Sequence, residues 1–267
     1  MKKKKHLYNK INSEELKFAL ANEPFERITA SFYKYVDISV PNELRDELYE
    51  VWNQMGVFGR VYIADEGINA QVSIPKQNWE IFKDSVRNND LFKDVKIKKA
   101  IQEGSSFYKL KIKVRKELVA YDVPKESYDM RKVGKHLTAG EYNLALDRED
   151  STVVDMRNYY ESEIGRFENA IIPDVETSKE LLPEVKNLLK GKENEKILLY
   201  CTGGIRCEKA SSFLIKSGFK DVSQLQGGII QYAHDLKRND MKSKFRGKNF
   251  VFDDRLGERI TDDVLAF

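Results

Sequence analysis

Residues 197–210 read ILLYCTGGIRCEKA, and the way this stretch must fold fixes both the fold class of its domain and the place of its chemistry. The apolar run that ends at Tyr200 has the length of a buried strand and is bounded by turn residues. It delivers Cys201 to its C-terminal end, where sites form in open α/β sheets. Gly203 and Gly204 let the backbone curl so that successive N–H groups turn inward. A helix expected from Cys207 to Ser217 adds the partial positive charge of its N-terminus, and Arg206 adds a fixed cation. Each feature favours an anion at sulfur, so the Cys201 thiol is expected to ionise below the free value of about 8.5. A thiolate ringed by N–H donors can also hold a second, negatively charged sulfur, which gives persulfide chemistry a physical basis. A buried, inert cysteine is the commonest fate of the residue, but it has no need of Thr202-Gly203-Gly204-Ile205-Arg206 at a strand-to-helix corner. Cys207 is open to two readings, a resolving thiol or a packing residue at the helix start.

Outward from this loop, the second half of the chain alternates short strands and helices. Thr138 caps a helix, with Glu141 three residues on completing a capping box. Strands are expected over 152–155 and 222–225, and a helix over about 179–189 whose start is blurred by Pro183. Gly227-Gly228 leads into a last helix through Tyr232. Such alternation implies parallel crossovers and a doubly wound sheet over 137–240.

The first half follows another plan. Strands are expected over 28–36, 60–64, 68–74, 95–101 and 107–114, with Asp65-Glu66-Gly67 as a hairpin turn. Pro41 opens a helix with Leu44, Leu48, Val51, Trp52 and Met55 on one face, and Pro75 opens another carrying Trp79, Ile81, Phe82 and Val86. The order β-α-β-β-α-β plus one strand predicts a ferredoxin-like α+β sandwich over 28–119. A basic N-terminal extension (1–27), a polar linker (120–136) and a C-terminal extension (241–267) complete the division.

The length of 267 residues suits two domains, and the balance of 46 Lys and Arg against 43 Asp and Glu says little about partners. No apolar stretch approaches the roughly 18–20 residues of a membrane span. Residues 1–10 are basic without an apolar run behind them, so no secretory signal is expected; the lysines at 2–5 read as a solvated tail. Two neighbouring cysteines suggest a reducing cytoplasm rather than a disulfide scaffold. His6, His136 and His234 are scattered, so no zinc-type spacing exists, no metal site is expected and no cofactor site is evident. Period-two alternation places Lys109, Lys111, Lys113 and Arg115 on one strand face, and Lys96 and Lys98 on another. If those strands pair, they make a basic patch suited to RNA phosphates, with Tyr33 and Tyr35 available for stacking. An ordinary solvated sheet face has the same pattern.

The segment from Cys201 to Arg206 resembles the six-residue active-site loop of rhodanese domains. Val154-Asp155-Met156-Arg157-Asn158 is similar to the strand-end aspartate and arginine of that fold, and Gln226-Gly227-Gly228-Ile229 to its closing loop. At 165–170 Arg166 stands where rhodaneses usually carry histidine, so no role is carried over there. A closer resemblance is to the bacterial tRNA uridine(34) hydroxylases. It is carried by SFYKYV (31–36), EGINAQ (66–71), KVRK (113–116), VGKHL (133–137), residues 200–210 and GKNFVFDDRLGER (247–259). The resemblance implies an acylphosphatase-like first domain and a rhodanese-like second one. It also implies hydroxylation of the wobble uridine to 5-hydroxyuridine with molecular oxygen as co-substrate, dependent on Cys201, and tRNA, through its anticodon arm, as the partner. Members of that family usually continue past the position of Phe267 into a cysteine-rich tail.

Within this frame Cys201 is the expected reactive thiolate and Thr202 to Arg206 its anion cradle, ordered by Asp155 and Arg157 through charge-assisted hydrogen bonds. A sulfurtransferase working through a Cys201 persulfide would use the same loop. Phosphatase loops of related fold place five residues between cysteine and arginine; the four here favour a sulfur-sized site. A binding module with a degenerate site would be expected to have lost the cysteine. No stable protein partner is expected.

Overall fold

A computed structural model describes residues 11–261, so the lysine run at 2–5 and His6 lie outside the described residues. The chain divides into two compact units, residues 1–118 with 253–255, and residues 119–252 with 256–267.

The first unit begins with α1 (Ser13–Ala21), a helix inside the stretch expected to be only a basic extension. Asn12 caps it by accepting the Glu14 N–H at 3.0 Å. There follow β1 (Arg27–Tyr35), α2 (Pro41–Gln54), β2 (Phe58–Ala64), β3 (Gly67–Pro75), α3 (Trp79–Arg87), β4 (Lys98–Lys99) and β5 (Leu110–Val114). The sheet runs β4-β1-β3-β2-β5, antiparallel except for the parallel pair of β2 and β5. Leu44, Leu48 and Trp52 of α2 and Phe82 and Val86 of α3 pack with Phe32, Val61, Ile63, Ala70, Val72 and Ile112 of the sheet in one core. Trp52 sits at its centre, edge-on to Phe32 at 6.2 Å and tilted on Phe82 at 5.3 Å. Two expected core residues face solvent, Val51 (36% exposed) and Ile81 (55%). Val51 falls just outside the stripe set by Leu44, Leu48 and Trp52, with Tyr49 buried on the α2 face instead, while Ile81 points about 100° away from Phe82. Pro75 opens a 3₁₀ turn, Lys76–Asn78, before α3 starts.

The second unit contains β6 (Lys135–Leu137), α4 (Ala139–Leu146), β7 (Ser151–Asp155), α5 (Tyr159–Ile164), β8 (Gly165–Phe167), α6 (Ser178–Leu188), β9 (Lys196–Tyr200), α7 (Ile205–Lys216), β10 (Asp221–Leu225), α8 (Gly228–Asn239), β11 (Phe245–Phe250) and β12 (Gly257–Arg259). Its main sheet, β6-β10-β9-β7, is parallel throughout, as the alternation of elements requires. The capping box of α4 is present, with the Thr138 N–H donating to Glu141 Oε2 at 2.9 Å. Helix α6 runs through Pro183 without ending there. A second sheet, β12-β11-β8, is antiparallel, and its strands went unseen in the sequence because two of the three have only three residues. The stretch expected to be a polar linker, 120–136, contributes Tyr121 to the core of this unit, as does Val119, which was expected to close the first domain. Among the described residues no helix is long and apolar enough to cross a membrane.

Candidate active site

Strand β9 ends at Tyr200 and α7 starts at Ile205, so the turn between them contains only Cys201, Thr202, Gly203 and Gly204. Gly204 is the N-cap of α7 at φ 102°, a conformation costly for any residue with a Cβ. Gly203 is different: a Cβ there would meet nothing within 4 Å, so only one of the two glycines is demanded by the turn. The back of the loop is closed by α8, whose Ile229 and Ile230 N–H groups donate to the carbonyls of Cys201 and Thr202 at 3.0 and 3.1 Å. Gly228 makes this approach possible. A Cβ on it would lie 2.5 Å from Cys201 O, 2.7 Å from Thr202 O and 2.8 Å from Gly203 N.

The inward side holds the sulfur. The Gly204 N–H donates to Cys201 Sγ at 3.1 Å. Cys207, in the first turn of α7, favours the charged sulfur through its thiol and through its main-chain N–H, which also donates to the Gly204 carbonyl at 3.0 Å. Burial by itself pushes the Cys201 thiol up, but these donors and the Arg206 guanidinium outweigh it and bring Cys201 down to about 5. Cys207 moves the other way, pushed up by burial and by donating its S–H, which it keeps, to the negatively charged Cys201 sulfur. Both cysteines are buried and unbridged, and these influences favour the thiolate at Cys201 and the thiol at Cys207.

Arg206 is held by a residue the sequence did not single out. Glu161 of α5, fully buried, clasps Arg206 through two hydrogen bonds at 2.6 and 2.9 Å. Arg206 also donates to Thr202 Oγ1 at 3.2 Å, and that hydroxyl donates to Glu161 at 3.4 Å. Burial opposes the charge of Arg206, and the Glu161 carboxylate beside it keeps it protonated. The side chain of Ile205 packs against the core of this unit. Tyr121, buried beside the loop, donates to the Arg206 carbonyl at 3.1 Å.

Asp155 and Arg157 stand one step behind the loop rather than on it. They form a fully buried bidentate pair at 2.8 and 2.6 Å. Asp155 also accepts the Tyr200 hydroxyl at 2.6 Å and the Ser162 hydroxyl at 2.8 Å, and Arg157 donates to the Gly165 carbonyl at 2.6 Å. They thus anchor the residue before Cys201 and the start of β8, while Glu161 makes the contact with the loop. The only sequence signal for Glu161 is its place three residues after Asn158, whose N–H donates to it at 3.1 Å. Its partner Arg206 is 45 positions away.

The basic residues are arranged differently from the expectation. Lys96 and Lys98 would join Lys109–Arg115 in one patch if their strands paired, but β4 and β5 lie at opposite edges of the first unit's sheet, because β4 pairs with β1 and β5 with β2. Lys96 lies outside β4, and Lys98 is buried with its ammonium 5.1 Å from the Tyr33 ring centre. The face turned away from α2 and α3 nevertheless gathers cations. Register sets Arg60 of β2 beside Lys111 and Tyr62 beside Lys113, and the Arg115 guanidinium lies 5.2 Å from the Tyr62 ring. Lys111, Lys113 and Arg115 are exposed. Burial first, then the charges of Lys109, Lys113 and Arg60, lower the pKa of Lys111, the mark of a crowded cationic face. Lys109 precedes β5 with its ammonium 5.3 Å from the Tyr108 ring. Arg60 and Tyr62 escaped the sequence reading because they sit on a different strand. Among the described residues no cluster of three or more His, Cys, Asp or Glu could hold a metal ion.

Comparison with known proteins agrees with this division. Residues 27–118 match a family described as a UPF0176 acylphosphatase like domain, and residues 138–235 match the rhodanese-like domain. A Leptospira interrogans protein named tRNA uridine(34) hydroxylase is 52% identical over 265 residues, 99% of this chain and 72% of that protein. A Photorhabdus laumondii protein of the same name is 46% identical over 262 residues, 97% of this chain and 74% of the relative.

Proposed function

The chain belongs to the tRNA uridine(34) hydroxylase family, and on that ground we propose that it hydroxylates the wobble uridine of tRNA at C5, with Cys201 as the reactive group. The observation that carries the role of Cys201 is the setting of its buried sulfur, which accepts the Gly204 N–H at 3.1 Å at the start of α7. Cys207 and the charge of Arg206 favour the thiolate there and bring the thiol down to about 5. Thiolate is the nucleophilic form of cysteine. Uracil accepts such a nucleophile at C6, since its C5=C6 bond is conjugated to the C4 carbonyl. Addition there makes C5 electron-rich, oxygen enters at C5, and loss of the C5 proton with the thiolate restores the double bond.

With dioxygen as the oxidant, one oxygen atom becomes the C5 hydroxyl and the other leaves as water. That reduction takes two electrons and two protons. The Cys201 thiolate and the Cys207 thiol supply both electrons on closing to a disulfide, Cys207 supplies one proton and solvent the other, and an external thiol reopens the bridge. Cytoplasmic redox conditions suit such a cycle. The anticodon arm is held through its phosphates by Arg60, Lys111, Lys113 and Arg115 on the open face of the first unit's sheet.

The test is nucleoside mass spectrometry of tRNA from cells lacking this protein, rescued with wild type or Cys201→Ala, beside purified enzyme with tRNA, air and a dithiol. Loss of 5-hydroxyuridine-derived nucleosides restored by wild type alone is the expected result. Purified enzyme that leaves tRNA unchanged, yet moves sulfur from thiosulfate to cyanide, overturns the hydroxylase reading in favour of a sulfurtransferase.

A further inference from the structure

The segment 247–259 and Arg166 have no place in the chemistry of the Cys201 loop, and the small sheet β12-β11-β8 brings them together. Along residues 245–252 burial alternates: Phe245, Gly247, Asn249 and Val251 are inside, while Arg246, Lys248, Phe250 and Phe252 reach solvent. Register adds further cations, since Arg246 lies opposite Arg166 and Lys248 opposite the exposed Arg259. Glu168 offsets one of them through its ion pair with Arg246. Beside the cations a set of partly exposed rings forms a continuous run. Tyr159 meets Tyr160 at 6.0 Å, Tyr160 meets Phe250 at 5.6 Å, and Phe250 meets Phe252 at 5.0 Å.

One helix links this run to the reactive loop. Tyr160 and Glu161 are neighbours in α5; the first lies against Phe250, and the second clasps Arg206 and accepts from Thr202. A duplex offers phosphates and no free base faces, whereas an anticodon loop offers both. Cations interleaved with rings match that pair of features, as in other single-strand binding surfaces. An acidic protein partner would use the cations and leave the rings without a role.

We infer that the outer side of β11, with Tyr160, is a second RNA-binding surface that stacks unpaired anticodon-loop bases beside the Cys201 loop. This rests on tRNA being the substrate. The cations hold the loop backbone, the rings take the bases flanking the reacting uridine, and the open sheet face of the first unit remains a separate phosphate contact.

The experiment measures binding of a fluorescent anticodon stem-loop and steady-state hydroxylation for Phe250→Ala, Phe250→Tyr and Lys248→Ala in the full chain. Phe250→Ala is expected to weaken binding and raise KM at least about fivefold with kcat within twofold, from the loss of one base–aromatic stack. Phe250→Tyr is expected to behave as wild type. Lys248, exposed on its strand, tests the surface without touching the core; Lys248→Ala should make the salt dependence of binding shallower by about one. Thiolate absorbance of Cys201 should be unchanged in all three. Wild-type binding and KM in both Phe250→Ala and Lys248→Ala overturn the inference. A wild-type enzyme that binds the stem-loop without hydroxylating it overturns the proposed activity instead, and the binding arm still decides this surface.

Discussion

The hydrogen bond from Cys207 to the Cys201 sulfur is the largest of the influences that lower the Cys201 pKa, so its removal is the sharpest test of the electrostatic argument. Cys207→Ala deletes the thiol donor, leaves the main-chain N–H groups and Arg206 in place, and keeps a small apolar side chain in the core. Hydrogen bonds to a charged group are worth about 1.5–3 kcal/mol, and one pKa unit is about 1.36 kcal/mol. The midpoint of Cys201 should therefore rise from about 5 to roughly 6–7. The direction follows from which form the bond favours: it stabilises the thiolate, so losing it means a higher pH is needed to ionise the sulfur. At pH 6 the thiolate fraction should fall from roughly nine-tenths to between half and a tenth. Because Cys201 is buried, absorbance of the thiolate near 240 nm is a better probe than alkylation, with Cys201→Ser as the blank. A variant that still titrates at 5 removes Cys207 from the account. A wild-type midpoint near 8.5 refutes the cradle itself.

Gly228→Ala should cost at least about 1–2 kcal/mol from its positive φ alone, with the three backbone contacts below 3 Å adding to it; urea unfolding and turnover should both register the loss. Arg157→Met strands the buried Asp155 carboxylate and should lower stability by about 3–5 kcal/mol in the same unfolding assay. The double variant Lys111→Ala, Lys113→Ala should weaken tRNA binding with little regard to sequence and flatten its salt dependence by about two. A salt slope equal to wild type would remove these two lysines from the RNA contact.

The Cys201 loop was legible because all its parts lie within ten residues: strand end, glycine at the helix N-cap, cation and helix start. The α4 cap was legible for the same reason. Glu161 was not, because its meaning comes from Arg206, which only the packing of α5 against the loop brings near. Strand order also lay beyond local pattern. Period two shows that Lys111 and Lys98 each belong to a strand face, but not that their strands sit at opposite edges of the sheet. Strands as short as β6, β8 and β12 carry too few residues to show any period. Val51 and Ile81 have core chemistry, and only the angular position of each on its helix sends it to solvent.

The contact of α8 with the back of the loop also fixes the polarity of the loop's lining. In a planar peptide unit the N–H and the C=O point in opposite senses, so a loop that turns N–H groups toward one side must display carbonyls on the other. In many turns these units swing through half a rotation with little resistance, exchanging a positive lining for a negative one. Here the Cys201 and Thr202 carbonyls are each engaged by an N–H of α8. Such a swing would break that bond and leave an unpaired donor behind it. The Thr202 and Gly203 N–H groups, which share those peptide units, are thus held in one orientation from outside, and this part of the loop needs no turn of its backbone when substrate arrives.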